Sequence, residues 1–562
     1  MKLSRIALAM AALSLPFAAA QANQSLVSPG YSSTIGGVSN EGTVHSSSFN
    51  PASNGILLKE SERFRFGYLS NLGGYIEIGE SDDLDKKVDN LVTDIEDAED
   101  VAADGSGASQ HLIDRYGNQD SQAAYFEAIA KEANDNLIPD LEKGGQFRSG
   151  FQTQAPLTPF LFRSNSTRGV FSLNASAQAQ IGVGLLGDTL STKTTLSTSG
   201  GENLGALNLD LEKVADAFSD VESILDDNTL TDQQRAEQLI NVVKDSGLVE
   251  GNEETLKNLA DEYGVDTSQY DFLSGASTAS GASVSGAATG DLVSETDLVT
   301  NSGLDIRAAA IAHLGLGYGT RLSDWMQMNT EYGELELGAR LNLYQAELAR
   351  NFISLEAEAN NASEDGENDT FENATDDFFE NTEQSMGIGL DLGLLWHARN
   401  YQAGLTIYNV NEPEFDYPDL SEYLNADALN ALQGLENGGK TQVAETVTLT
   451  RHAVLEGAFY SPSRNWMLQG SYTLGEATNF VGDEFQTMAV SAGYFPKAWW
   501  APGLRAGYSQ NLVGAELSKV HAGMTLFGIL HLDAAVAMDT SSFDDSDVPR
   551  YASFSMGLEE KF

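Results

Sequence analysis

The chain has 562 residues, with 82 acidic side chains against 31 basic ones, a net charge of −51 and no cysteine. Without sulfur there is no disulfide framework, thiolate zinc site, iron–sulfur cluster or dithiol redox centre. So negative a chain repels phosphate backbones, which argues against direct nucleic-acid binding, and beyond the N-terminus no apolar run reaches the roughly 18 residues of a spanning helix.

The first element in chain order is an address. Lys2 and Arg5 precede an apolar stretch from Ile6 to Phe17, and Ala20-Gln21-Ala22 is a small-residue cleavage site. Residues 1–22 therefore read as a secretory signal peptide, with Asn23 as the mature N-terminus. No cysteine follows the site for a lipid anchor. Residues 23–80 read as an N-terminal segment and the first strands, where Phe64, Phe66 and Tyr68 alternate.

Residues 81–146 read as an acidic helical insertion. Leu84, Val88, Leu91, Ile95 and Ala98 recur at helical spacing, while Asp82, Asp83, Asp85, Asp89, Asp94, Glu96 and Asp97 occupy the other faces. A second helix is expected from Gln119 to Lys143, and charge of this density ordinarily marks a solvated surface.

Strands return over 147–186. From Phe171 to Leu185 every odd position is apolar and every even one is polar or glycine. Strands of soluble proteins run about 5–6 residues, whereas a tilted strand crossing an outer membrane needs about 9–11, so this alternation fits a barrel wall with one face in lipid and one in a wet lumen. Gly182 to Gly187 matches the dinucleotide string G-x-G-x-x-G. It continues an alternating strand with no amphipathic helix behind it, so small lumen-facing residues are the better explanation.

Residues 187–303 read as a second helical insertion, from about Leu207 to Tyr263, followed by a flexible Ser/Gly/Ala tract from Ser274 to Gly290. Thr231-Asp232-Gln233-Gln234 has capping-box spacing ahead of an Ala236/Leu239/Ile240/Val243 stripe.

Residues 304–562 read as the C-terminal barrel strands. Ile306 to Tyr318 alternates, although Ala309 and Ile311 interrupt its polar side. Leu335–Leu343, Met386–Trp396, Tyr401–Ile407, Trp466–Leu474, Met488–Tyr494, Leu504–Tyr508, Val520–Leu526 and Leu530–Met538 follow. Short connections (His397–Asn400, Tyr460–Arg464, Pro496–Pro502, Phe527–Ile529) alternate with longer acidic ones (Asn411–Glu445, Gly475–Glu484, Asp539–Arg550), the asymmetry expected of short periplasmic turns opposite long outer loops. Asn360 to Glu383 carries many carboxylates and no Lys or Arg. It fails the EF-hand order and is expected as a surface loop that holds divalent cations diffusely. The last strand sets Phe554, Met556, Leu558 and the terminal Phe562 on one face, with Glu560 breaking it.

The expected fold is thus an all-β transmembrane β-barrel of about 14 antiparallel strands, within 12 to 16, with acidic α-helical insertions, embedded in outer-membrane lipid. The insertions lie outside if Glu334 to about Glu358 is one long strand, and in the periplasm if it is a hairpin. The seven histidines (His45, His111, His313, His397, His452, His521 and His531) lack metal-ligand spacing. His397 and His452 are the ones near a rim, as in barrel enzymes, yet spacing selects no Ser or Asp partner. No catalytic, cofactor or metal residue is assigned, and the chain reads as non-enzymatic.

On Phe49-Asn50-Pro51-Ala52 preceded by Gly36-Gly37, the acidic helix Asp82 to Val101, Gly389-Leu390-Asp391-Leu392-Gly393-Leu394, and Gly523 to Gly528 running into Leu532-Asp533-Ala534-Ala535, the chain resembles the conjugal-transfer TraF-like outer-membrane family. It is more distantly similar to FadL-type fatty-acid transporters. The first resemblance implies a cell-surface barrel associated with plasmid transfer or envelope contact; the thioredoxin-like protein sharing that name is excluded by the missing cysteines. The second implies a passive channel for hydrophobic small molecules, with the segment around Asn50-Pro51-Ala52 inside the lumen as a hatch. An alternating last strand ending in Phe also looks like the signal by which the barrel-assembly machinery recognises its clients.

Overall fold

A strand in hydrocarbon finds no water for its backbone, so a spanning sheet must close on itself. The computed structural model describes residues 38–40, 42–58, 61–80, 84–101, 106–119, 122–164, 168–198, 203–209, 224, 230–245, 252–266, 270, 292–326, 331, 333–356, 378, 381–498, 500–543 and 546–559. Residues 1–22, expected as a signal peptide, Gly36-Gly37, the Ser274–Gly290 tract, most of Asn360–Glu383, Glu560 and Phe562 lie outside these described residues.

Fifteen segments build the wall: β1 (Phe64–Ile78), β2 (Phe147–Gln154), β3 (Phe160–Arg163), β4 (Gly169–Leu186), β5 (Gly303–Arg321), β6 (Glu334–Ser354), β7 (Thr382–His397), β8 (Tyr401–Tyr408), β9 (His452–Tyr460), β10 (Trp466–Leu474), β11 (Thr487–Tyr494), β12 (Gly503–Asn511), β13 (Ser518–Leu526), β14 (Leu530–Ala537) and β15 (Tyr551–Glu559). Each pairs antiparallel with its neighbours and β15 returns to β1, which closes a barrel of 14 strand positions. β2 and β3 share one position between β1 and β4. In the bulge between them Ala155 N donates to Ala175 O (2.9 Å) and Leu157 N to Tyr68 O (3.1 Å), so the backbone stays paired where the strand breaks. The β1–β15 seam is less regular, with register shifts between Gly67 and Leu69 and between Leu69 and Leu72.

Period-2 alternation divides the wall into two chemistries. Leu316, Leu341, Ile388, Leu392, Leu455, Leu468, Val490, Leu504 and Phe554 form an exposed apolar belt outside. Ser172, Asn174, Gln178, Gln180, Arg340, Asn342, Asp391, Glu456 and Arg505 point inward and are buried. Aromatic rings collect near one rim of the belt: Phe162 against Phe171 at 5.2 Å, Phe171 against Tyr318 at 4.9 Å, and Trp466 against Tyr494 at 4.8 Å. Such rings suit a membrane interface.

Glu334–Ser354 is one continuous strand. Both helical insertions therefore leave from the rim that carries the longest loops, and most connections at the opposite rim are short, such as 398–400, 461–465 and 527–529, with 322–333 longer. β4, β5 and β6, at 18, 19 and 21 residues, exceed what a bilayer needs, so this side of the wall rises beyond the hydrocarbon at the long-loop rim. Among the described residues no helix is long and apolar enough to cross a membrane.

The first insertion contains helices Leu84–Glu99, Gln110–Tyr116, Gln122–Glu132 and Ile138–Gly144. Its apolar stripe packs as expected, with Leu91 and Ile95 against Leu112, Tyr125, Phe126 and Ile129. Asp94 departs from the solvated reading. It is fully buried, accepts from Tyr116 Oη (2.7 Å), contacts His111 Nε2 (2.8 Å) and pairs with Arg115 at 3.1 Å. The carboxylate organises the helical cluster from within, because a buried charge persists only when paired.

The second insertion differs more. Helices Asp232–Asp245 and Glu253–Glu262 are present, and the capping box closes reciprocally, Thr231 N to Gln234 Oε1 (3.0 Å) and Gln234 N to Thr231 Oγ1 (3.3 Å). Asn203–Leu209, however, is a strand, and pairs with Ser191–Thr198, which also pairs with Leu292–Val299. The Thr/Ser-rich sequence of Ser191–Thr198 has no apolar alternation to announce a sheet.

An outward charge at mid-wall has no partner in lipid. Leu392→Arg is expected to destabilise the barrel by about 2–4 kcal/mol, read as a lower urea midpoint for the protein refolded in vesicles.

Candidate functional site

The lumen holds the chain's own N-terminal segment, described over residues 38–40 and 42–58. Here Ser46–Phe49 forms a helical turn and Pro51–Ser53 a 3-10 turn. Asn50 caps the second turn, its side chain accepting from Ala52 N at 2.9 Å, and Pro51 presets the first turn position, so Asn-Pro-Ala is a compact knuckle by its own chemistry.

That knuckle rests on a ladder of glycines. Gly319 of β5 lies opposite Gly338 of β6, which lies opposite Gly393 of β7. A Cβ on Gly338 would stand 2.2 Å from Ala52 N, and one on Gly393 2.1 Å from Asn50 Oδ1. Glycine is required there because the plug lies directly on the wall backbone, leaving no room for a Cβ. Beyond the ladder the contacts are polar. Glu456 of β9 accepts from Ser39 Oγ (2.8 Å), Ser39 N and Asn50 Nδ2 (2.8 Å). Tyr408 Oη donates to Phe49 O at 2.7 Å, and Asn54 Nδ2 to Ser172 Oγ at 2.9 Å. Glu559 at the end of β15 accepts from Thr43 Oγ1 and Val44 N.

Arg340 anchors the centre. It donates to Asp391 through Nη2 (2.7 Å) and Nε (3.0 Å) and to the carbonyls of Ser47 and Ser48 in the plug. Asp391 is also held by Asn342 Nδ2 (2.7 Å) and Asn409 N (3.0 Å). Both charges are wholly buried, so removing one partner costs roughly 3–5 kcal/mol.

At the long-loop rim, loops close over the other end. Phe415, Tyr417, Val447, Leu449, Phe480 and Val481 are buried against Ala309, Ile311 and Tyr344 of the inner wall. The two apolar residues that break the polar face of β5 are thus the seat of this cap. Ion pairs lock it: Arg307 bonds Asp305 (2.7 Å) and Glu445 (2.9 Å), and Arg350 bonds Asp305 (2.9 Å), Thr441 Oγ1 (2.6 Å) and Gln442 O (2.6 Å). Arg148 joins Glu77 (2.8 Å) to Asp483. Burial raises the Tyr417 phenol above its ordinary value. Burial, outweighing the adjacent Arg148, pushes the Asp483 carboxyl up to about 6.

Of the histidines read from sequence, His452 contacts Thr450 O through Nδ1 (3.1 Å) and stacks on Tyr408 (5.1 Å), while His397 lies beside Glu334 and Glu336. Neither meets a serine in these contacts. The Ser–His contacts that form are elsewhere, Ser176 Oγ to His313 Nδ1 (3.1 Å) and Ser509 Oγ to His521 Nε2 (2.6 Å). His313 continues to Asn342 at 2.9 Å and so belongs to the network under the plug. Gly182 and Gly184 continue β4 as expected. The signal that would have found the lumen network was a charge on the inward face of a strand, as at Arg340, Asp391, Glu456 and Glu559.

A family model described as "F plasmid transfer operon, TraF, protein" matches residues 48–472, from the knuckle through β10. The chain belongs to this family. No curated protein matches it in sequence. Solved structures similar to it include the toluene transporter TbuX of Ralstonia pickettii (9% identity, TM-score 0.36, covering 96% of this chain and 100% of that chain). The Pseudomonas putida toluene transporter TodX (10%, 0.32, 94% and 97%) and a FadL homologue of Pseudomonas aeruginosa (10%, 0.31, 94% and 95%) are two more.

Gly338→Ala is expected to lever the plug off its seat, at a cost of roughly 1–3 kcal/mol, with the barrel intact. Limited proteolysis should then cut within 38–58 while the folded band still migrates differently before and after boiling. Because Asp483 holds its proton more tightly in the docked loop, docking is fully favoured below the ordinary value of 3.8 and loses this contribution as pH rises through about 6. Intrinsic-rate-corrected hydrogen exchange of 477–485 should be slower at pH 5 than at pH 7.5.

Proposed function

We propose that the protein is a closed outer-membrane barrel that serves plasmid transfer through surface contact rather than conduction, with its helical insertions facing the exterior. The observation that carries this is the filled lumen, plugged by 38–58 and capped by the loops around Phe415 and Phe480. A strand of nucleic acid finds neither space nor favourable charge in it. The rim asymmetry supports the orientation, since outer loops are the long ones in such barrels. The exposed apolar belt meets outer-membrane lipid, the last strand is the handle for the barrel-assembly machinery, and the role is non-enzymatic, the histidine–serine contacts serving the wall.

One observation favours a second reading, a FadL-like passive channel for hydrophobic small molecules. The inner wall under the cap is apolar at Ala309, Ile311, Ala346 and Leu348. Displacing the cap would expose a greasy entry.

The test is transfer frequency in a deletion strain, alongside uptake of a monoaromatic hydrocarbon. Deletion should lower mating at least tenfold. The full chain should restore it, whereas a chain lacking 84–144, confirmed as a heat-modifiable barrel, should not. Unchanged mating together with lost hydrocarbon uptake would overturn the first reading in favour of the second.

A further inference from the structure

The register of the β6–β7 hairpin sets His397 directly opposite Glu334, and Glu336 stands two residues further along the same face. Three donors thereby converge at the short-turn rim. His397 Nε2 lies 3.5 Å from Glu334 Oε2 and 3.5 Å from Glu336 Oε1, and it is buried without a hydrogen-bond partner. The three donor atoms all fall within 4.8 Å of one another. Ligands held about 2.0–2.2 Å from a tetrahedral ion stand roughly 3.4 Å apart, close to the spacing of this imidazole from each carboxylate.

Charge and burial agree with the geometry. Glu336 is wholly buried, and its other oxygen, Oε2, also lacks a hydrogen-bond partner. Arg321 Nε is 3.1 Å from Glu334 Oε2 and 3.4 Å from Glu336 Oε1, so one guanidinium faces two carboxylates. Arg321 also fixes the orientation of the carboxylates.

We propose that Glu334, Glu336 and His397 form a binding site for a divalent transition-metal ion of the zinc class. An imidazole beside two carboxylates suits such an ion, whereas calcium and magnesium prefer ligand sets made of oxygen alone. Water completes the coordination on the side facing the rim. Glu336 also abuts the plug, since a Cβ on Gly55 would stand 2.1 Å from its Oε2. The bound ion therefore clips two wall strands together where the plug rests on them.

The full-length barrel in detergent, stripped with chelator, is titrated with Zn²⁺ by calorimetry and with Co²⁺ followed by visible absorption. The expected result is one tight equivalent with a low-symmetry Co²⁺ band. His397→Ala and Glu334→Gln, on different strands, should each weaken binding at least tenfold while remaining heat-modifiable barrels. Absence of both heat and band in the wild-type protein overturns the proposal. So does binding that survives unchanged in either variant, which would place the ion elsewhere, such as the acidic tract 360–383. If one variant fails to fold, the other and the wild-type spectrum decide.

Discussion

Every part of this molecule answers to one constraint, that no backbone amide or carbonyl of a spanning sheet can face hydrocarbon unpaired. Closure of β15 onto β1 meets it, and the bulge between β2 and β3 meets it locally by pairing Ala155 and Leu157 across to β4 and β1. Once the sheet is closed, alternation leaves the sequence little choice. One face must be apolar to meet lipid, and the other inherits whatever polar groups the strands carry.

That inheritance creates the second problem, an interior full of donors, acceptors and charges. A water-filled pore would satisfy them by solvation. Here the chain satisfies many of them itself. The plug offers Ser, Thr and Asn side chains and the carbonyls of Ser47 and Ser48 to Arg340, Glu456, Glu559 and Ser172, and the cap offers Glu445 and Asp483 to Arg307 and Arg148. Where the plug presses closest it needs bare backbone on the wall, which is why Gly319, Gly338 and Gly393 form a continuous rung across three strands. Small residues on the inward face and polar residues in the N-terminal segment are thus two halves of one fit.

The barrel was legible in the sequence because lipid enforces period 2 over lengths that soluble strands do not reach. Phe171 to Leu185 states it plainly, and the rim asymmetry follows from connection lengths alone. What depends on residues far apart in the chain was not legible. Ala309 and Ile311 look like flaws in an alternation until Phe415 and Phe480 arrive from other loops to cover them. His397, Glu334 and Glu336 acquire meaning only through the pairing of β6 with β7. Asp94 resembles any other acidic residue of its helix until Arg115 and Tyr116 fold back on it. Ser191–Thr198 escaped notice because its sequence carries no apolar rhythm.

The seam gives the plug a role in time as well as in space. Glu559 ends β15, the strand that closes onto β1, and its carboxylate is buried in the lumen, where Thr43 and Val44 bond it. A barrel that closed with its N-terminal segment left outside would forgo these bonds and leave that carboxylate to water. Closure and threading therefore reinforce each other during assembly. The plug and the closing strand thus vouch for each other, and a molecule that zips up empty is the one most readily reopened.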